Sequence, residues 1–149
     1  MKIGLVAHDH RKEDLIQWVE YNADHLAKHE LICTGTTGKM VIDSLNEKDV
    51  KTIKVRRLKS GPLGGDQELG SMICNDEIDI LIFLWDPMAM QPHDVDVKAL
   101  LRLAVLYNIP TACNRSTADF IISSNLFAGE YHRSKKDYSE YINRPVLVS

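Results

Sequence analysis

The chain has 149 residues, 44% hydrophobic and 26% charged, with a net charge of -3 when histidine is neutral. This is enough for one domain with one core, expected to span residues 1–149, and the mild acidity argues against a nucleic-acid partner. No apolar run approaches bilayer length and Met1 leads straight into a strand-like segment without a signal-peptide pattern, so a cytoplasmic protein without a membrane partner is expected.

Lys2-Ile3-Gly4-Leu5-Val6-Ala7 is a nearly continuous apolar run, as a strand covered on both faces requires. It ends in His8-Asp9-His10-Arg11-Lys12, after which Leu15, Trp18, Val19, Ala23, Leu26 and Ala27 recur at helical spacing. Glu30-Leu31-Ile32-Cys33 reads as a second strand, followed by the polar loop Thr34-Gly35-Thr36-Thr37-Gly38 and a helix carrying Met40, Val41, Ile42 and Leu45. Thr52 to Arg57 alternates apolar and cationic residues, the pattern of an edge strand. It leads into Ser60-Gly61-Pro62-Leu63-Gly64-Gly65-Asp66-Gln67, where glycines permit positive φ and close backbone approach, and Leu69, Met72 and Ile73 continue as a helix.

Ile78 to Leu84 is the most hydrophobic run and reads as a central strand, stopped by Trp85-Asp86-Pro87. Past Gln91-Pro92-His93, Val97, Leu100, Leu101 and Ala104 mark a helix that Asp94 is placed to cap and Asn108-Ile109-Pro110 to end. Its apolar surface is wider than one stripe, which fits burial between layers or against another subunit. Thr111 to Asn114 closes a fifth strand, and Ser116-Thr117-Ala118-Asp119 has capping-box spacing ahead of Phe120-Ile121-Ile122. The polar stretch that follows carries no assignment. Cys33, Cys74 and Cys113 sit in apolar surroundings at spacings that suit no zinc site, and are expected to be buried free thiols of a reducing compartment.

Five alternations of strand and helix predict an α/β fold, an open parallel sheet with helices on both faces and ligands outside the carboxyl ends of the strands. The polar clusters each follow a strand there: His8, Asp9 and Lys12; Thr34 to Thr37; Ser60 to Asp66; Asp86 with His93 and Asp96; Asn114 to Thr117. By itself a Gly-Gly-Asp is most simply a helix start. In this company Asp66 becomes a candidate site carboxylate, while Lys12, Thr34, Thr36, Thr37, Ser60 and the N–H groups of Gly35 and Gly61 become donors for an anion.

These residues carry a close resemblance to the methylglyoxal synthase family. Val6 to His10, Thr34 to Gly38, Ser60 to Gln67, Trp85 to Pro87, Pro92 to Arg102 and Thr117 to Phe120 look like its signatures, in its order. The resemblance implies a three-layer α/β/α, Rossmann-like fold with a five-stranded parallel sheet in the order 3-2-1-4-5, assembled as a homohexamer. It implies a carbon–oxygen lyase that eliminates phosphate from dihydroxyacetone phosphate through an enediolate, giving methylglyoxal and inorganic phosphate with no metal or organic cofactor. Inorganic phosphate is then product and expected inhibitor.

By the same resemblance Asp66 is the base and His93 hydrogen-bonds the substrate oxygens and moves protons. Asp9, Asp86 and Asp96 are further site carboxylates, and His8 joins the substrate-binding set. His10, His25, His29 and His132 have no such support. Two departures stand out: the segment between Gly38 and Ser60 is long and uses Asn46-Glu47-Lys48-Asp49 where the family has a turn glycine, and the tail after Asn125 matches weakly. The competing reading is a non-catalytic effector-binding domain like the regulatory domain of carbamoyl phosphate synthetases, with an IMP cyclohydrolase-like domain a further rival. Both usually belong to much larger chains.

Overall fold

The computed structural model describes residues 1–90 and 94–145. Five parallel strands, β1 (Lys2–Ala7), β2 (Glu30–Cys33), β3 (Lys54–Arg57), β4 (Ile80–Leu84) and β5 (Thr111–Ala112), pair in the order β3-β2-β1-β4-β5. The apolar runs are continuous because successive side chains enter different cores. Ile3, Leu5 and Ala7 of β1 and Ile80, Ile82 and Leu84 of β4 face one, with Leu15, Trp18 and Val19 of α1 (Lys12–Tyr21), Val41 and Leu45 of α3 (Gly35–Glu47), and Ala118 and Ile122 of α6 (Arg115–Ile122). Val6, Leu81 and Phe83 face the other, against Leu69, Met72 and Ile73 of α4 (Gly65–Cys74) and Val97, Leu100 and Ala104 of α5 (Asp94–Leu106).

Several sequence expectations change in detail. The first helix stops at Tyr21 and resumes as α2 (Ala23–Leu26), because buried Asn22 turns its side-chain amide onto the Trp18 carbonyl at 2.8 Å. The polar stretch after β2 is itself the first turn of α3. Ser116 does not cap α6: Asn114 does, its side chain accepting the Thr117 N–H at 2.9 Å, while Asp119 accepts from the Trp18 indole at 2.9 Å. Of the cysteines only Cys33 is buried, its thiol pushed up to about 12 by that burial; Cys74 and Cys113 are exposed.

The missing turn glycine after Gly38 has a simple explanation. Asp49 takes positive φ (54°), Asp49 N–H donates to the Asn46 carbonyl and Val50 N–H to the Leu45 carbonyl, the two closing bonds of a Schellman motif. Asp49 thus stands where a glycine is ordinarily preferred. Asp76 and Asn108 end α4 and α5 the same way. The tail, unassigned from sequence, docks at this end of the sheet. Arg133 Nη2 lies 2.6 Å from Asp76 and its Nε donates to the Tyr107 carbonyl at 3.2 Å, while the Tyr138 hydroxyl donates to the Leu106 carbonyl at 3.0 Å. A cation at the carboxyl ends of two helices complements their dipoles. Two short helices, α7 (Asn125–Ala128) and α8 (Ser139–Ile142), complete the tail.

Candidate active site

The register places Ala7 beside Leu84, and Leu5 beside Cys33, which pairs in turn with Arg57, so the loops after β1 to β4 rise on one rim. The chain leaves β1 toward β2 on one side and pairs with β4 on the other, which is where open sheets of this class bind ligands. A cleft of about 260 Å³ opens there, lined by His8, Asp9 and Lys12 of the first loop, Thr34, Thr36 and Thr37 of the second, and Ser60, Gly61 and Asp66 of the third.

His8, 6% exposed, donates its backbone N–H to Leu84 and sets its ring edge-on to Phe83 at 5.3 Å. Its Nδ1 accepts the Asp86 N–H at 3.1 Å, so in the neutral ring the proton sits on Nε2. Lys12 pairs with Asp9; the ammonium lies on a mostly buried side chain and the carboxylate on an exposed one. The hydrogen bond from Lys12, then its charge, holds the Asp9 carboxyl below the usual aspartate range.

Thr34 takes the extended N-cap conformation, and among the described residues its side chain makes no capping bond. The N–H groups of Thr36 and Thr37 lie in the first turn of α3, where the helix itself offers no acceptor. Gly35 differs from the sequence expectation: its N–H donates to the Lys59 carbonyl at 2.8 Å, so it ties two loops together instead of facing the cleft. A Cβ on Gly35 would stand 2.5 Å from the Ser60 backbone nitrogen, which is why glycine is needed there.

The third loop forms a short 3-10 turn over Gly61–Leu63, reverses at Gly64 (φ 95°) and enters α4. A Cβ on Gly65 would lie 2.0 Å from the Lys59 carbonyl oxygen. The cap of α4 is Gly64, so Asp66 is not the N-cap; it occupies the helix's first turn, 4% exposed, with its carboxylate in the favourable dipole end.

The remaining candidates separate. Asp86 is buried, but its Oδ1 accepts the Met88 N–H at 3.0 Å, shaping the turn after β4, and its link to the cleft runs through His8. Asp96, in the first turn of α5, lines a second cleft of about 220 Å³ between α4 and α5, whose wall includes Asp66. Asn114 to Thr117 line neither of these clefts. His93 lies outside the described residues. Sequence reasoning passed over Glu68, which accepts the Lys59 N–H at 2.9 Å, and Arg57, whose Nε donates to the Gly35 carbonyl at 2.6 Å. Neither has a local signature, because each acts on a loop distant from its own periodic pattern.

A family model described as the MGS-like domain matches residues 14–113. A methylglyoxal synthase of Maridesulfovibrio salexigens is 56% identical over 151 residues, covering 97% of this chain and 96% of the relative. One from Coxiella burnetii is 52% identical over 145 residues, covering 97% of each. The crystal structure of methylglyoxal synthase from Elizabethkingia anophelis superposes with a TM-score of 0.88 at 53% identity, covering 99% of this chain and 93% of that one. With the sheet order, the rim and these likenesses in agreement, the chain belongs to the methylglyoxal synthase family.

Proposed function

We propose that this protein is a methylglyoxal synthase that converts dihydroxyacetone phosphate to methylglyoxal and inorganic phosphate, without metal or organic cofactor. The observation that carries this reading is a nearly buried carboxylate, Asp66, on the wall of a small cleft whose other walls bear Lys12 and the hydroxyl residues Thr34, Thr36, Thr37 and Ser60. Such a volume, just below the usual ~300 Å³ of ligand pockets, suits a three-carbon phosphate. The dianion takes the helix-start donors and Lys12, and Asp66 faces the remainder.

In this reading Asp66 removes a proton from the hydroxyl-bearing carbon and the electron pair moves into an enediolate. The bond from carbon to the phosphate oxygen then breaks and its electrons leave with phosphate as the enediolate oxygen closes to a carbonyl; the resulting enol gains a proton at its terminal carbon and gives up its hydroxyl proton, leaving methylglyoxal. Phosphate is held by the loops after β1, β2 and β3, and the oxygens at the other end fall to the segment after β4, which includes His93. We take this division to hold the breaking bond perpendicular to the enediolate plane, the alignment elimination needs. Asp96 would act from the adjoining cleft, Asp86 through His8 and Asp9 through Lys12.

Self-assembly, as a hexamer, belongs to the same reading. Val95 and Val105 on α5 are 74% and 80% exposed, and the exposed Lys98 and Arg102 lie between them, a mixed apolar and cationic face open to another copy. A cytoplasmic location accords with a phosphorylated substrate, and no helix among the described residues is long and apolar enough to cross a membrane.

Incubation of the purified protein with dihydroxyacetone phosphate tests the proposal: methylglyoxal should appear with an equal amount of phosphate, and added phosphate should compete with substrate. Phosphate-sensitive binding without turnover would overturn it. Sedimentation velocity checks the assembly, which a monomer at all concentrations would refute.

A further inference from the structure

Arg57 ends β3, the edge strand, where a charge commonly serves only to discourage further pairing. Its contacts are more particular than that. Nε donates to the Gly35 carbonyl at 2.6 Å, and a Cβ on Gly38 would meet Arg57 Cγ at 3.0 Å. The side chain therefore lies along one face of the first turn of α3, touching residues three apart. The same turn carries Thr36 and Thr37, which line the cleft. Arg56, Arg57 and Lys59 also border a neighbouring groove that shares Thr36 and Ser60 with the cleft, and the acid there, Glu68, holds its Oε1 4.0 Å from the Lys59 ammonium while its Oε2 accepts the Lys59 N–H.

A guanidinium at the amino end of a helix opposes the macrodipole, and α3 has no acidic residue in its first turn to relieve it. A bound anion would. We propose that Arg57 is a positioning residue for phosphate: it clamps the Gly35 carbonyl, holds the Thr36 and Thr37 N–H groups in place against Ser60, and adds its charge behind them. The inference rests on the reading of the cleft as a phosphate site.

Calorimetric titration with inorganic phosphate, on the wild-type chain, Arg57→Met and Arg57→Lys, tests it. Arg57→Met keeps an apolar stem over Gly38 but loses donor and charge, and should weaken phosphate about tenfold, the scale of one charge-assisted hydrogen bond. Arg57→Lys, which restores a charged donor, should recover most of that affinity. In turnover, Arg57→Met should raise KM for dihydroxyacetone phosphate by a similar factor and change kcat much less, the mark of lost binding common to ground and transition states. Equal phosphate affinity in wild type and folded Arg57→Met would overturn the role of Arg57 and leave the phosphate site standing. Absence of phosphate binding by the wild type would overturn the site, and this inference with it.

Discussion

Gly35→Ala tests whether the contact between the second and third loops sets the geometry of the cleft. Gly64 is the glycine with positive φ among the described residues, so alanine at Gly35 meets a steric problem and no backbone strain. Its Cβ would stand 2.5 Å from the Ser60 nitrogen, 2.7 Å from Ser60 Cα and 2.9 Å from Ser60 Cβ. Backbone atoms cannot swing aside as a side chain can, so the loops must separate by about 1 Å to reach van der Waals distance. That separation stretches the bond from Gly35 N–H to the Lys59 carbonyl and moves the Thr36 and Thr37 donors away from Ser60. Overpacking of this kind costs about 1–3 kcal/mol, of which helix propensity returns at most about 1 kcal/mol. A shift of about 1 Å in a positioning element is enough to lose roughly 10²-fold in kcat/KM. Urea unfolding should show a lower midpoint at unchanged slope, and phosphate titration a weaker site. A variant with the wild-type midpoint and wild-type phosphate affinity would refute the reasoning, since the two loops would then be independent.

Asp66→Asn should leave phosphate affinity nearly unchanged while lowering kcat by ~10²–10⁴-fold, because an amide cannot accept the carbon-bound proton; near-normal turnover in the folded variant would remove Asp66 from the role of base. In the proposed phosphate site Asp9 and the anion would share Lys12, so Asp9→Asn should tighten inorganic phosphate by up to about fivefold, the range of an exposed ion pair, whereas Lys12→Ala should weaken it. Calorimetry at low and high salt reads both, and unchanged affinity in Asp9→Asn would show that the pair does not hold Lys12 back. Asp49→Gly should raise stability by about 0.5–1 kcal/mol, because the Schellman position then carries no Cβ penalty; a lower thermal midpoint would place some other demand on Asp49.

Much of the architecture is legible in local pattern. The apolar runs of β1 and β4 and the helical spacing of Leu69, Met72 and Ile73 report burial directly, because a strand covered on both faces and a helix covered on one leave different periods in the chain. The expectation that polar clusters after successive strands share one rim holds for His8, Asp9, Lys12, Thr34, Thr36, Thr37, Ser60, Gly61 and Asp66, which line one cleft, and not for Asp86 or Asn114 to Thr117, which do not line it. The strand order came from family likeness, since periodicity has no term for which strand lies beside which. Partners across loops were equally invisible. Gly35 gives its N–H to Lys59, Asn114 takes the cap from Ser116, Asp96 falls into the cleft beside the first, and Arg57 reaches the turn of another element. Burial against a core is written one segment at a time, whereas a hydrogen bond between segments depends on sheet register and helix placement, which exist only once the chain has closed on itself.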